Sequence, residues 1–275
     1  MHRNGRSEEN QLGIDHDDKI QGLSLLAAEI HKFGAIAGIQ LTHAGGKTES
    51  QFTEGVLQSP SGVIVPVKDK TLEKPSEMSL SDIGNWKKWF LNAADRAVQA
   101  NFDFIELHAA HGYGLNQWLS PITNQRTDQY GGTIPKNLRL LIEIVSEIRF
   151  RYPQLLLSVR MPGQDFMAGG LNISDSAYIA RELQNAGVDI INISSGIGGW
   201  KRPRARTGEG YLVEEAAIIQ TMLSIPVIGV GGIESGAYID EILNTKKVSL
   251  TAIGRAILKD PISWRKKQLG GIHNA

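Results

Sequence analysis

The sequence predicts an α/β barrel of the TIM type, (β/α)8, of which about six β/α units are visible. Three observations carry this. Six short apolar segments alternate with amphipathic ones along the 275 residues. Each apolar segment ends on something polar or flexible, and the last two such ends are rich in glycine. Buried strands alternating with helices form a parallel sheet covered on both faces, which is either an open doubly wound sheet or a closed barrel. The strand ends favour the barrel. Gln40, His108, Arg160, Ser194 with Ser195, Gly231 with Gly232, and Gly254 with Arg255 each stand where a strand finishes. All would therefore share one rim, where a barrel builds its active site, with a phosphate site after its last two strands.

Each element has its own signal. Ile20, Leu23, Ala27, Ile30 and Phe33 recur at threes and fours between Asp17 and Phe33, and Gly34 stops that helix. A strand over 35–41 follows, closed by the glycine loop THAGGK. Residues 42 to about 78 hold Pro60, Pro66 and Pro75 and read as a long excursion of the kind that covers a site. Ser79 to Asp82 opens a helix with a capping box, and Ile83, Trp86, Phe90, Ala93 and Ala97 form its apolar face through Ala100. The strand FDFIELH comes next, then a helix near 138–150 and a strand over 155–160. A helix from Ser174 to Ala186, a strand over 188–194, a helix over 213–223, a strand over 226–232, a helix near 236–243 and a strand over 248–254 complete the alternation. If the last two strands are the seventh and eighth of a barrel, two are missing at the amino end, where a polar loop feeds directly into a helix. Six strands leave two open edges that have to be covered or paired.

Composition narrows the function. The 29 basic and 29 acidic side chains cancel, so no global field draws the chain to nucleic acid or an anionic membrane. The absence of cysteine excludes disulfides, cysteine-ligated metals and a thiol nucleophile from the residues present. No apolar run reaches the roughly 18 residues of a membrane span, and the first residues lack the apolar core of a secretory signal. The expectation is a cytoplasmic protein for a small, neutral molecule, with no nucleic-acid or membrane partner and with a homo-oligomer admitted.

Chemistry concentrates in IELHAAHGYG, where a strand ends in two histidines three apart with a tyrosine two residues on. Paired imidazoles can donate two hydrogen bonds to one oxygen, and the phenol can supply a proton. In an arbitrary His-x-x-His, satisfied strand-end histidines or a metal site are the commoner outcomes. A metal needs further ligands, and no carboxylate–histidine partner stands at metal spacing. GVGGI (229–233) and IGRA (253–256) offer backbone amides that approach a phosphate with no Cβ in the way, plus one guanidinium. Gln40 can pair with an amide or imide edge, and Arg160 can hold negative charge. Arg202, Arg204 and Arg206 read as a solvated basic patch.

The stretch from about Gly5 to Gln268 resembles the Old Yellow Enzyme family of flavin-dependent ene-reductases, also called NADH:flavin oxidoreductases. The resemblance rests on five segments in order: IQLTHAGGK, FDFIELHAAHGYGLNQWLSPITNQRTDQYGG, LLLSVRMPG, VIGVGGI and AIGRAIL. It implies a barrel holding FMN non-covalently at its rim, with NADPH or NADH as electron donor and an α,β-unsaturated carbonyl compound as substrate. By position, Gln40 and Arg160 correspond to contacts with the flavin ring, and Gly231, Gly232, Gly254 and Arg255 to the FMN phosphate cradle. His108 and His111 correspond to the pair that binds the substrate carbonyl, and Tyr113 to the proton donor. The resemblance makes residues 1–275 a single FMN-binding barrel domain, incomplete at its amino end. Leu138 and Leu140 replace arginines usual in the family and Gly114 replaces a leucine, changes that touch packing more than chemistry. Two rival readings stay open: a non-catalytic homologue unable to hold FMN, and a flavin-free barrel enzyme acting on a phosphorylated substrate.

Overall fold

A computed structural model describes residues 1–68, 70–262 and 264. The last residues of the stretch that carries the resemblance, 265–268, lie outside these. Helix α1 (Ile20–His31) follows a 3-10 turn at Asp17–Lys19 and leads into β1 (Gly38–Leu41). The proline-bearing excursion holds a small parallel pair, β2 (Gln58–Ser59) with β3 (Ser76–Glu77), which ties its middle to its end. Helix α2 (Leu80–Gln99) starts at the expected capping box, with Ser79 and Asp82 each bonding the other's backbone N–H. Its predicted apolar face is buried, and it packs on β1 and on the later helix α4.

The remainder alternates as expected, with one further helix, over Gly114–Leu119, that the sequence does not predict. Strand β4 (Phe104–His108) leads to the short α3 (Gly114–Leu119), and α4 (Ile134–Arg151) leads to β5 (Leu156–Gln164). Then follow α5 (Ile173–Asn185), β6 (Ile190–Ser195), α6 (Val213–Gln220), β7 (Val227–Gly229), α7 (Gly236–Asn244), β8 (Leu250–Thr251) and α8 (Arg255–Lys259). The sheet order is β1-β4-β5-β6-β7-β8, every pair parallel. These are six β/α units of a TIM-type barrel. Among the described residues β1 and β8 each pair on one side only. Exposed apolar side chains stand beside both edges, Phe33 and Ile36 before β1, and Leu250 and Leu258 on and after β8.

The strands depart from expectation in the character of their faces. They are not apolar on both faces. Ile105, Leu107, Leu157, Val159, Ile191 and Ile193 form the helix-covered core, whereas the alternate residues on the barrel side are polar. Glu106 organises this inner face. Its carboxylate accepts from Gln40 Nε2 at 2.7 Å, Ser158 Oγ at 2.9 Å and Asn192 Nδ2 at 2.9 Å, tying β1, β4, β5 and β6 together. Two residues further along the strands, on the same face, stand His108, Arg160 and Ser194. The polar inner row thus runs up to the rim that the sequence singled out.

Gly114 shows why its position excludes the usual leucine. A Cβ there would lie 2.6 Å from the His43 carbonyl oxygen and 2.7 Å from the Trp86 ring. Leu138 and Leu140 are buried in α4, where an arginine would have to bury its charge.

Candidate active site

Strand β4 ends at His108, and the chain turns sharply enough that His111 takes a left-handed backbone, φ 62°, followed by Gly112 at φ 76°. A non-glycine residue in that region is strained and has to be held there. Three contacts hold it. The His111 N–H donates to the Ser195 carbonyl at 3.0 Å, Lys47 Nζ donates to the His111 carbonyl, and His111 Nε2 lies 2.6 Å from Ser194 Oγ. The turn brings the two imidazoles together with ring centroids 5.0 Å apart, edge to face, and Tyr113 stands 5.3 Å from the His108 ring.

Both histidines are neutral. Burial, then the Arg160 and Lys47 charges, lowers His108 to about 3, and burial, then His108, Arg160 and Lys47, lowers His111 to about 2. Each ring therefore has one N–H to give and one lone pair. Tyr113 is pushed the other way, up from the usual phenol value, by burial and by Glu8, against a hydrogen bond from Ser7. It keeps its proton at neutral pH. Lys47, from the THAGGK loop, sits 4.6 Å over the Tyr113 ring, and burial lowers its ammonium to about 8.

At the carboxyl ends of β5 to β8 a cavity of about 420 Å³ opens beside these rings. Of the residues singled out in the sequence, His111, Arg160, Ser194, Ser195, Gly231, Gly232, Gly254 and Arg255 line it. His108 and Tyr113 are not among the lining residues, though the His108 ring touches both His111 and Tyr113. Gln40 is not brought to the cavity: its amide is committed to Glu106, across the β1–β4 pair. Gly231 and Gly232 take φ values of 122° and 67°, and a Cβ on Gly231 would meet the Tyr211 and Leu212 backbone nitrogens at 2.9 Å. Only glycine makes this turn without strain.

Sequence reasoning missed Tyr211, the centre of the cradle. Arg255 donates to its hydroxyl at 2.8 Å, and the Arg202 guanidinium lies 4.7 Å over its ring. The basic stretch after β6 is therefore not one solvated patch. Arg202 lines the cavity, and Arg206 is paired with Glu214 and the buried Glu215, both at 2.5 Å. Arg204 is exposed in its loop as expected, and Arg202 is exposed as well although it lines the cavity. Regular spacing of arginines carried no sign of this division.

The cavity fits a flavin mononucleotide by its unmet hydrogen-bonding capacity. Among the described residues, Arg160 Nε and Ser195 Oγ, both of lining residues, are buried with no partner, and such groups are costly unless a ligand meets them. At the far end, glycine amides and the Arg255 and Arg202 guanidinium groups suit a phosphate.

The family model for the NADH:flavin oxidoreductase / NADH oxidase family matches residues 1–271. The chain belongs to this family. The NADPH dehydrogenase of Bacillus pumilus (strain SAFR-032) is 38% identical over 257 residues, which are 94% of this chain and 73% of that protein. The NADPH dehydrogenase of Bacillus subtilis (strain 168) is 37% identical, over 95% of this chain and 75% of its own length. Among solved structures, histamine dehydrogenase from Rhizobium sp. 4-9 superposes with a TM-score of 0.82 at 27% identity, covering 93% of this chain and 37% of that one. Family membership makes the protein an FMN-dependent oxidoreductase with NAD(P)H as electron donor. It also sets aside a flavin-free barrel acting on a phosphorylated substrate.

Proposed function

We propose that this protein reduces the carbon–carbon double bond of α,β-unsaturated carbonyl compounds, and that it does so as one FMN-binding barrel domain. The observation that carries the reading is the pairing of two neutral, buried imidazoles with a protonated phenol beside them, one of the imidazoles, His111, lining the cavity. Arg160 would hold the flavin ring, and Gly231, Gly232, Gly254 and Arg255, joined by Arg202, would hold its phosphate. FMN, when bound, supplies the hydride. His108 and His111 each donate an N–H to the substrate carbonyl oxygen. This draws electron density from the β-carbon and stabilises the negative charge that develops on that oxygen as hydride arrives. Because the rings are neutral, these are ordinary hydrogen bonds, weaker than charge-assisted ones. Tyr113, which retains its proton at neutral pH, donates it to the α-carbon. Burial of the two imidazoles excludes water from the oxygen they bind.

The test uses the FMN-loaded protein with a cyclic enone and NADPH. The expected result is the saturated ketone. Tyr113→Phe should lower turnover while leaving the affinity for a para-substituted phenol, which reports on the histidines, little changed. Equal loss of turnover and phenol affinity in that variant would remove Tyr113 from the role of proton donor.

A further inference from the structure

We propose that Ser194 is a positioning residue that sets the tautomer of His111, holding the ring proton on Nδ1. The inference rests on the reading of the histidines as carbonyl donors and adds the device that makes one of them competent.

The argument begins with Arg160, whose Nη2 lies 3.2 Å from Ser194 Oγ. A guanidinium has no lone pair to offer, so it donates and the serine oxygen accepts. Ser194 is buried, and the second contact of its hydroxyl is His111 Nε2 at 2.6 Å. Among the described residues its side chain makes no other hydrogen bond. The hydroxyl proton therefore has one acceptor, the His111 Nε2 lone pair. The opposite assignment has Nε2–H donating to Oγ and leaves a buried O–H with no acceptor, a costly arrangement. An imidazole that accepts at Nε2 carries its proton at Nδ1.

This matters for function because Nε2 is already engaged. Were the proton there, the Ser194 contact would consume it, and the free nitrogen of His111 would present a lone pair to a carbonyl lone pair, which repels. With the proton on Nδ1, the ring donates to the substrate oxygen while remaining bonded to Ser194. The backbone that carries the ring is held in place, its N–H tied to Ser195 and its carbonyl to Lys47. The relay Arg160–Ser194–His111 crosses three neighbouring elements, β5, β6 and the turn after β4. A residue expected to hold the flavin thereby also fixes the proton on the substrate side.

The experiment is nitrogen-15 NMR of histidine-labelled, FMN-loaded protein near pH 7. Long-range nitrogen–proton correlations show which ring nitrogen is protonated, and the His111 signals are assigned by their loss in His111→Gln. The expected wild-type pattern is protonated Nδ1 and bare Nε2. Ser194→Ala should move the His111 ring towards the Nε2–H form or a mixture, and Ser194→Thr, which keeps the hydroxyl, should restore Nδ1–H. Affinity for a para-substituted phenol should fall about tenfold in Ser194→Ala, the worth of one neutral hydrogen bond, and recover in Ser194→Thr. Protonated Nε2 at His111 in the wild type overturns the proposal without any variant having to fold. So does a His111 tautomer that is unchanged in a folded Ser194→Ala protein. The carbonyl-binding reading stands or falls separately, since it fails if His108→Ala and His111→Ala both bind phenol as the wild type does, whatever the spectra show.

Discussion

Acidification from pH 7.5 to 5.0 should cost this protein stability through His108 and His111, by an amount that follows from their burial. In the unfolded chain each imidazole titrates near 6.5. In the fold they are held at about 3 and about 2, chiefly by burial. Their contribution to stability is therefore complete above about pH 6.5 and declines as the pH falls towards the folded values, because only the unfolded state takes up protons in that window. At pH 5.0 the unfolded state has gained about 1.5 pH units of protonation free energy per histidine, or about 2 kcal/mol each and about 4 kcal/mol for the pair. The figure depends little on the folded pKa values, since pH 5.0 lies above both. It is a large part of the 5–15 kcal/mol typical of a whole domain. Urea unfolding at pH 7.5 and 5.0, for the wild type and for His108→Gln/His111→Gln, isolates the pair. The carboxylates and the buried His43, which is also lowered well below its usual value, act equally in both proteins and cancel. The expected result is a pH-dependent loss about 4 kcal/mol smaller in the variant. Equal losses would show that the imidazoles take up protons in the fold as readily as in solution, and the neutral-donor mechanism would fall with them.

Three further substitutions probe the frame around the site. Glu106→Ala leaves the buried donors of Ser158 and Asn192 without their acceptor, at about 1–3 kcal/mol each, so urea titration should show a loss of about 2–6 kcal/mol; a loss below 1 kcal/mol would mean that the inner polar row is solvated. Gly114→Leu drives a side chain into the His43 carbonyl and Trp86 and should cost about 1–3 kcal/mol as overpacking, read as a lower melting temperature; an unchanged value would refute the close approach of Gly114 to Trp86. Arg255→Ala removes one of two guanidinium groups at the phosphate end of the cavity and should weaken FMN retention on dialysis by roughly 10- to 100-fold, the value of a charged hydrogen bond, with the melting temperature of the apoprotein little changed. Full flavin occupancy after dialysis would mean that the phosphate lies elsewhere.

Much of this architecture was legible in the sequence, and the exceptions have physical causes. Helix α2 was readable in type and face because one side is buried and the other wet, so that Ile83, Trp86, Phe90, Ala93 and Ala97 repeat at the helical period. Helix α3 was invisible because all six of its residues are buried, so burial leaves no period to read. The end of β5 was cut short at Arg160, although the strand continues through Pro162 and Gly163 with a shift in register before Gln164; proline and glycine in sequence read as a stop. The rim was legible because each strand ends in a residue that its apolar body does not explain. Partners across the barrel were not. That Gln40 would turn to Glu106, 66 residues away, and that Tyr211 would sit between Arg202 and Arg255, depend on side chains meeting from separate elements. The same holds for Ser194, visible as one polar strand end but given a role only by Arg160 and His111.

The measurement that bears most directly on the proposed activity is anaerobic mixing of the NADPH-bleached, FMN-loaded protein with cyclohex-2-enone, followed at the flavin wavelength. The yellow colour should return as the enone becomes cyclohexanone, and it should return far more slowly in His108→Ala/His111→Ala at equal flavin content. If NADPH bleaches the wild-type protein and the enone leaves it bleached, the histidine pair does not activate an unsaturated carbonyl, and the proposed reaction is wrong.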